Sequence, residues 1–403
     1  MQKALNYFFI AYIIIKPAIS QLIHSFDGAG RISIALSLLI IITHINNYRF
    51  KKVLTSSSVV VWGFWGIYTA FNWAFKRIDP NQTAWIFLGN QIYLVWITFV
   101  VVIYECHRNY QSVLKLILCS FIVYVILGLL FQSDSQYENS DRQGAILGNM
   151  LPLNSLSMFA VSIFMYIKKW ITFQKLSLVL GLALTAIFFV ATRKALGGVF
   201  ILLFFLLIAK YPLSKAKNFI SILLGCLILY AGITLIIDYT VLGERMQDIN
   251  EVAEKYNTSG IEFLNLLGDR AYFYIRGWEV FLEHPLTGIG IGNFAYLDWL
   301  ELPFHTEYMT QLAENGIIGT LLYILFYITL FKQIFQAKKR GIINIEFYPF
   351  LGWICTILFV SLTAWVYSFV HYYIVMGLII GYIQKNSIQN ENITYYNGNW
   401  RRR

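Results

Sequence analysis

The chain reads as a succession of apolar blocks of bilayer-spanning length, and no other feature restricts its fold as much. A helix crossing the hydrocarbon layer needs ~20 mostly apolar residues, within about 17–25. Blocks of this kind fall at 5–23, 32–46, 58–75, 83–104, 112–131, 145–167, 176–192, 195–209, 217–238, 315–335, 348–367 and 370–384. Two of the divisions rest on length. The run Leu176–Ile208 is broken only by Arg193-Lys194, and Phe347–Ile383 is too long for one crossing. Backbone amides in hydrocarbon must be bonded within their own segment or in a closed barrel. The alternating ten-residue strands of a barrel are absent from the sequence. The expected fold is therefore all-α, one polytopic membrane domain over residues 1–403 with about twelve transmembrane helices. With 58% hydrophobic and 13% charged residues, the composition excludes a cytosolic enzyme, a secreted disulfide scaffold and a nucleic-acid reader. Met1-Gln2-Lys3 and the apolar run behind it lead into no small-residue cleavage site, so they read as a retained first span. Cys106, Cys119, Cys226 and Cys355 lie in or beside apolar runs without paired spacing, and read as small buried hydrophobes.

An even number of spans puts both termini on one side, and Lys/Arg asymmetry selects that side. With cytoplasmic termini, the inside segments hold 20 basic residues. The short outside segments then hold 6: Arg31, Lys76, Arg77, Arg142, Arg193 and Lys194. The formal net charge of +10 is thus a topology signal facing anionic lipid rather than a nucleic-acid footprint. One large loop, residues 239–311, is expected on the outer face. It carries eleven acidic residues against Arg245, Lys255, Arg270 and Arg276, a net charge of −7. A loop this long is usually functional or disordered, and its Trp, Tyr, Phe and Leu content argues for ordered structure docked on the membrane. The chemistry is expected there.

Within the loop, residues 268–285 read as a short helix stopped by Pro285. Tyr274, Trp278 and Leu282 recur every four residues as an apolar stripe suited to the interface, with Arg270 one turn earlier. Arg270 either snorkels to headgroups or serves the chemistry. Gly288, Gly290 and Gly292 follow at alternate positions. The spacing is wrong for a dinucleotide loop, which leaves a tight turn or bare amides offered to an anion. His305 stands where the loop re-enters the bilayer, and reads as an interfacial structural residue or as a proton acceptor suited to neutral pH. His305-x-Glu307 has only His284 nearby as a further ligand, so no metal site is expected. Arg193 either anchors a hairpin between two spans or grips an anion at the outer mouth.

In order, these pieces resemble the bacterial O-antigen ligase and Wzy-type polysaccharide polymerase family. The resemblance rests on Arg193 after an apolar span, on Arg270 fifteen residues before Pro285 in DRAYFYIRGWEVFLEHPLTGIGIGNF, and on PFHTEYMTQLAENGIIG at 303–319 leading into a helix. It covers about 190–330 at motif level. Thr306 departs from the Asn that many members carry after the histidine.

The resemblance implies an inverting glycosyltransferase with no metal or other cofactor, taking a glycan from undecaprenyl pyrophosphate to an acceptor hydroxyl. By motif position, Arg193 and Arg270 would grip the pyrophosphate and His305 would activate the acceptor. A guanidinium suits that task because it stays charged and forks onto phosphate oxygens. Arg276 is a weaker candidate for phosphate or sugar contact, Glu307 for orienting His305, and Tyr308 and Trp278 for stacking on sugar or lipid. The partners implied are the lipid-linked donor, a glycan or lipid A core acceptor, membrane lipids and a chain-length regulator, with no nucleic acid. Polymerisation of O-antigen or capsular repeat units is the expected activity, with ligation to lipid A core as the alternative. A lipid-linked oligosaccharide flippase is a third reading, set against the lack of an internal repeat and of paired broken helices in matching half-positions.

Overall fold

A computed structural model describes residues 2–22, 28–76, 83–131, 150–190, 192–211, 271–297, 304 and 306–400. Among the described residues the regular structure is entirely helical. The helices are α1 (Gln2–Leu22), α2 (Gly28–His44), α3 (Tyr48–Leu54), α4 (Ser57–Lys76), α5 (Thr83–Leu130), α6 (Met150–Ile167), α7 (Phe173–Phe189) and α8 (Arg193–Lys210). After the undescribed stretch come α9 (Ala271–Glu283), α10 (Asn315–Lys339), α11 (Phe347–Ser361) and α12 (Val370–Trp400), with short turns at Phe294–Leu297 and Glu307–Met309.

Eleven of the apolar blocks fall on these helices, and the block at 217–238 lies outside the described residues. The blocks 83–104 and 112–131 merge into α5, which is broken at Asn109 (φ −154°, ψ 88°). The Asn109 side chain accepts from the Ser112 amide at 3.1 Å, so it caps the second half as an N-cap would. The run through Arg193-Lys194 divides as expected, with α7 capped at Val190 and α8 starting at Arg193. By length and composition, Ile92–Leu130, Met150–Ile167 and Glu307–Lys339 can each cross a bilayer; α2 and α3, bent by 120°, form a fourth if counted as one. The basic segment around Lys51 and Lys52, between the blocks 32–46 and 58–75, is itself helical. It forms α3, because the Asn47 side chain accepts from Arg49 and Phe50 amides at 2.9 and 3.3 Å and Phe50 and Val53 are buried.

The core is aromatic where α4, α10 and α12 meet. Trp62 lies 4.5 Å from the rings of both Trp65 and Tyr373 and 5.0 Å from Phe326. Elsewhere the helices approach through small residues, the usual device where lipid supplies no hydrophobic drive between them. A Cβ on Gly197 of α8 would stand 2.4 Å from Phe359 of α11, and one on Gly381 of α12 would stand 2.5 Å from Cys106 of α5. One sequence expectation fails. The block 348–367 is expected to be helical throughout, yet α11 stops at Ser361 and residues 362–369 cross to α12 without regular helix, half of them buried and none exposed. Irregular backbone within an apolar bundle needs protein groups to satisfy it, and those groups come from the loop and from the start of α8.

Candidate active site

Helix α9 ends just before Pro285, as the sequence predicts, and its two faces differ. Phe273, Gly277 and Val280 are buried; Ile275, Trp278 and Leu282 are exposed, Trp278 by 50% and Leu282 by 60%. The buried face joins Ile289, Phe294, Phe304, Met309 and Ala313 in a small separate core, in which the Phe294 and Phe304 rings stack with centroids 3.6 Å apart. Gly277 admits this packing, since a Cβ there would meet Phe304 at 2.9 Å. The exposed apolar face suits the membrane interface.

The glycine-rich segment lies against the break at the head of α10. The chain passes through a π-helical turn, Thr310–Glu314, and then Gly316 takes φ +62°, ψ −170°. This frees backbone groups that the loop satisfies one by one. The Ile289 amide donates to the Ala313 carbonyl (2.9 Å) and Gly290 to Glu314 (2.8 Å). In return, Ile317 donates to Pro285 (2.9 Å) and Ile318 to Leu286 (3.2 Å). Gly288 has φ +65°, and a Cβ there would lie 2.3 Å from the Glu314 carbonyl carbon; one on Gly316 would lie 2.5 Å from the Gly288 nitrogen. The two glycine motifs are therefore halves of one backbone seam. Of the two roles open to the glycines, the observed one is the tight turn, here packed directly on the backbone at the head of α10. The amides of Gly288 and Gly290 go to the His284 and Glu314 carbonyls, and the Phe294 amide goes to the Glu314 carboxylate at 3.3 Å.

Helix α4 clamps the seam from the other side. Asn72 donates to the Thr287 carbonyl at 2.7 Å and the Glu314 carbonyl at 3.2 Å, and Tyr68 donates to the Asn315 carbonyl at 2.9 Å. Lys76 donates to Thr287 Oγ1 and the Gly288 carbonyl, and Asn293 donates to the Lys76 carbonyl at 2.8 Å.

Glu307, fully buried, joins this turn to the irregular segment after α11. One carboxylate oxygen accepts from the amides of Val366 and Tyr367, the latter at 3.0 Å; the other accepts from Gln311 at 2.8 Å. Gln311 in turn accepts from Trp65 Nε1 and Asn315 Nδ2, both at 3.1 Å. The last turn of α11 collects the neighbouring side chains. Tyr308 donates to the Leu358 carbonyl at 2.9 Å, Tyr274 to Leu362 at 2.7 Å and Lys194 to Thr363 at 3.1 Å, while Thr306 donates to Tyr274 Oη at 3.0 Å.

Arg270 and His305 lie outside the described residues, and Arg193 is described only as the first residue of α8. Their chain neighbours nonetheless meet at one place. Lys194 follows Arg193, Tyr274 comes four residues after Arg270 in the sequence, Thr306 follows His305, and all three are tied to Leu362–Thr363 directly or through Tyr274. Of the remaining candidates, Arg276 forms an exposed ion pair with Glu279 at 2.9 Å, whose hydrogen bond holds the guanidinium above its ordinary pKa. Trp278 is on the exposed face of α9 beside Phe281, Tyr308 has its hydroxyl committed to α11, and Glu307 points to residues 366–367. Asn72, Glu314, Tyr274 and Lys194 carry structural duties that the sequence reading did not assign. Asn72, Glu314 and Lys194 are visible as polar groups in or beside an apolar block, which by itself marks a residue that needs a partner; Tyr274 reads as part of the interfacial stripe of α9, and instead its hydroxyl bonds the Leu362 carbonyl.

Residues 176–324, from α7 into the first turns of α10, match the family model described as O-antigen ligase. This bears out the resemblance read from the motifs. The match supports glycosyl transfer of the O-antigen ligase or polymerase type in the membrane, between a lipid-linked glycan and an acceptor. No curated protein matches the chain.

Proposed function

We propose that the protein polymerises O-antigen or capsular repeat units on the outer face of the bacterial inner membrane, with twelve spans, cytoplasmic termini and the 239–311 loop outside. The observation that carries this reading is the convergence of Lys194, Tyr274 and Thr306 on the end of α11 within the family segment. It draws the chain near Arg193, Arg270 and His305 toward one locus. In the reaction, the acceptor hydroxyl oxygen attacks the anomeric carbon of the lipid-linked glycan and His305 takes its proton. The bond from that carbon to the pyrophosphate oxygen breaks with inversion. The leaving undecaprenyl pyrophosphate gains negative charge, which Arg193 and Arg270 meet. A positioned base contributes typically about 10²–10⁴-fold, and loss of one preorganised charge-stabilising donor costs about 10²–10³-fold. Arg276 and Trp278 remain candidates for substrate contact from the exposed face of α9. Glu307 and Tyr308 act through position, holding the re-entry turn against α11 and the segment after it.

Ligation to lipid A core is the second reading, favoured by the description of the matching family model. A flippase is the third reading; against it, the breaks at Gly316 and at 362–369 are tied to each other through Glu307 as parts of one built site.

Gel profiling of surface glycan in a deletion strain, complemented with wild type, Arg270→Ala or His305→Ala at verified expression, separates the readings. A polymerase leaves a single repeat unit on the final acceptor in both variants, with long chains restored by wild type. A ligase leaves long lipid-linked polymer without attached glycan. Unchanged profiles in both variants remove the catalytic assignment.

A further inference from the structure

The end of the bundle read as cytoplasmic carries a cluster of cations that the proposed reaction does not use. Arg49 and Lys52 stand on α3, Arg108 at the break of α5, and Lys385 directly after the apolar block of α12. Arg49, Lys52 and Lys385 all act on the His107 ring, and Arg49 and Arg108 on the Tyr104 hydroxyl, so the four gather at one locus. We infer that this cluster binds the phosphate of an anionic phospholipid from the adjacent leaflet.

A buried polar network fixes the cluster from below. Glu105 is fully buried, and one of its oxygens accepts from Arg108 at 3.2 Å and from Asn6 Nδ2 of α1 at 2.6 Å. The same Asn6 nitrogen lies 3.3 Å from His44 Nε2 at the end of α2. Helix α3 is held from the side. Asn47 donates to Tyr104 Oη at 3.0 Å, and the Phe50 ring lies 5.4 Å from those of both His44 and Tyr104. His107 Nε2 lies 3.0 Å from Gln384 Oε1, which brings the neighbouring Lys385 to α5. Five helices thus set the cations before any ligand arrives, and such preorganisation lowers the cost of binding.

The charge of the cluster is not spent within the protein. Among the described residues no carboxylate pairs with Arg49, Lys52 or Lys385. Arg108 gives one of its five N–H donors to Glu105, its side chain stays 35% exposed, and a guanidinium forks readily onto phosphate oxygens. Depth selects a lipid over an acidic protein. Each of the four cations falls within six residues of the end of an apolar block. Helix α3 turns by 120° across the end of α2, and its buried Phe50 and Val53 hold its cations at headgroup level. Tyr48, 77% exposed beside them, adds the amphipathic ring common at that level. Basic pockets between spanning helices on the cytoplasmic side take acidic lipid headgroups, whereas an acidic protein would be met by cations carried clear of the headgroup layer.

The test uses the purified full chain in a neutral detergent, with native mass spectrometry reading what stays bound. Phosphatidylglycerol is the probe, phosphatidylcholine the control without net charge, and glycerol phosphate the soluble source of the same group. Wild type should bind phosphatidylglycerol saturably and in preference to both. Lys52→Gln and Lys385→Gln, which leave the buried network intact, should each weaken it about fivefold, the worth of one cation near an anionic headgroup. Arg108→Lys keeps a charge beside Glu105 but loses the fork, and should weaken binding too. Lys175→Gln and Lys339→Gln remove exposed cations elsewhere on the same face and should leave binding unchanged. Equal weakening by these last two would overturn the proposal, because the affinity would then belong to the whole basic face. Undiminished binding in both Lys52→Gln and Lys385→Gln would overturn it, as would equal retention of phosphatidylcholine. Preference for glycerol phosphate would overturn the lipid assignment and leave a site for soluble phosphate.

Discussion

Replacing Gly316 by alanine tests the seam on which the candidate site is built. Gly316 has φ +62°, and an added Cβ would lie 2.5 Å from the Gly288 nitrogen and from the carbonyl carbon and oxygen of Leu286. These are backbone atoms of a segment hydrogen-bonded to the same turn, so no side-chain rotation relieves the overlap. If the segments part, the bonds Ile289–Ala313, Gly290–Glu314, Ile317–Pro285 and Ile318–Leu286 are lost. At about 0.5–1.5 kcal/mol each, those four amount to about 2–6 kcal/mol. The left-handed backbone adds about 1–3 kcal/mol for a residue with a Cβ. Gly341 is the internal control, for it has φ +69° and nothing within 4 Å of an added Cβ. Gly341→Ala should therefore show the backbone cost alone. Apparent unfolding midpoints of the purified protein in one detergent compare the two, with glycan ladders from the same variants as the functional readout. Gly316→Ala should lower the midpoint several-fold more than Gly341→Ala and abolish long chains, while Gly341→Ala keeps them. Equal, small shifts in both would refute the seam as a rigid, site-forming element.

Glu307→Ala should destabilise by about 2–6 kcal/mol, since it strands the buried amides of Val366 and Tyr367 at roughly 1–3 kcal/mol each. Glu307→Gln keeps one acceptor and should recover more than half of that, as judged by the same unfolding midpoints. Tyr274→Phe removes the bond to the Leu362 carbonyl and the acceptor of Thr306. A misplacement of about 1 Å costs up to 10²-fold, so transfer should fall about tenfold to hundredfold with little change in expression, read from ladder density over time. The Lys168–Glu346 pair gives a pH signature. Burial pushes the Glu346 carboxyl up, but the hydrogen bonds from Lys168 and the Asn344 amide outweigh it and hold the group below its usual 4.5. Burial likewise pushes Lys168 down, and its bonds to Glu346 and Tyr382 outweigh that and hold it above 10.5. The Glu346 contribution is thus present above its unfolded pKa and lost as pH falls through the lower folded value; the Lys168 contribution is lost as pH rises beyond 10.5. Glu346→Gln should flatten the acid side of the stability profile below about pH 4.5 and leave the plateau near neutrality lower.

The sequence made these elements legible to different degrees, for physical reasons. Apolar runs declare helices because the bilayer requires each span to satisfy its own backbone, so most of the described helices fall where the blocks predict. Charged or polar interruptions declare ends, as at Asn109 and Arg193. Leu362–Phe369 could not be seen this way. Its Leu, Trp, Val, Tyr and Phe continue the apolar run of α11, and what stops the helix is a carboxylate far away in sequence that accepts from Val366 and Tyr367. The glycines were visible but not their partner. Alternate-position glycines announce a close approach, and only the fold reveals that what approaches Gly288 is the break at Gly316.

This partnership bears on how such a site can be both precise and loaded from lipid. Backbone that leaves helical geometry at membrane depth exposes amides and carbonyls that lipid does not satisfy. Here the break at Thr310–Gly316 is answered by residues 285–290 and by α4, and the break at 362–369 by Glu307, Tyr274 and Lys194. The second segment is thus held by groups that adjoin the proposed catalytic positions in the chain, and Glu307 with Gln311 joins the first segment to it. Those positions sit on the ends of a cross-braced frame, while the neighbouring face of α9 leaves Ile275, Trp278 and Leu282 exposed. Cutting a brace should move the reacting groups without removing any of them. Activity should therefore be lost at Tyr274 or Gly316 as surely as at the candidate arginines, but only these brace variants should also lower the unfolding midpoint.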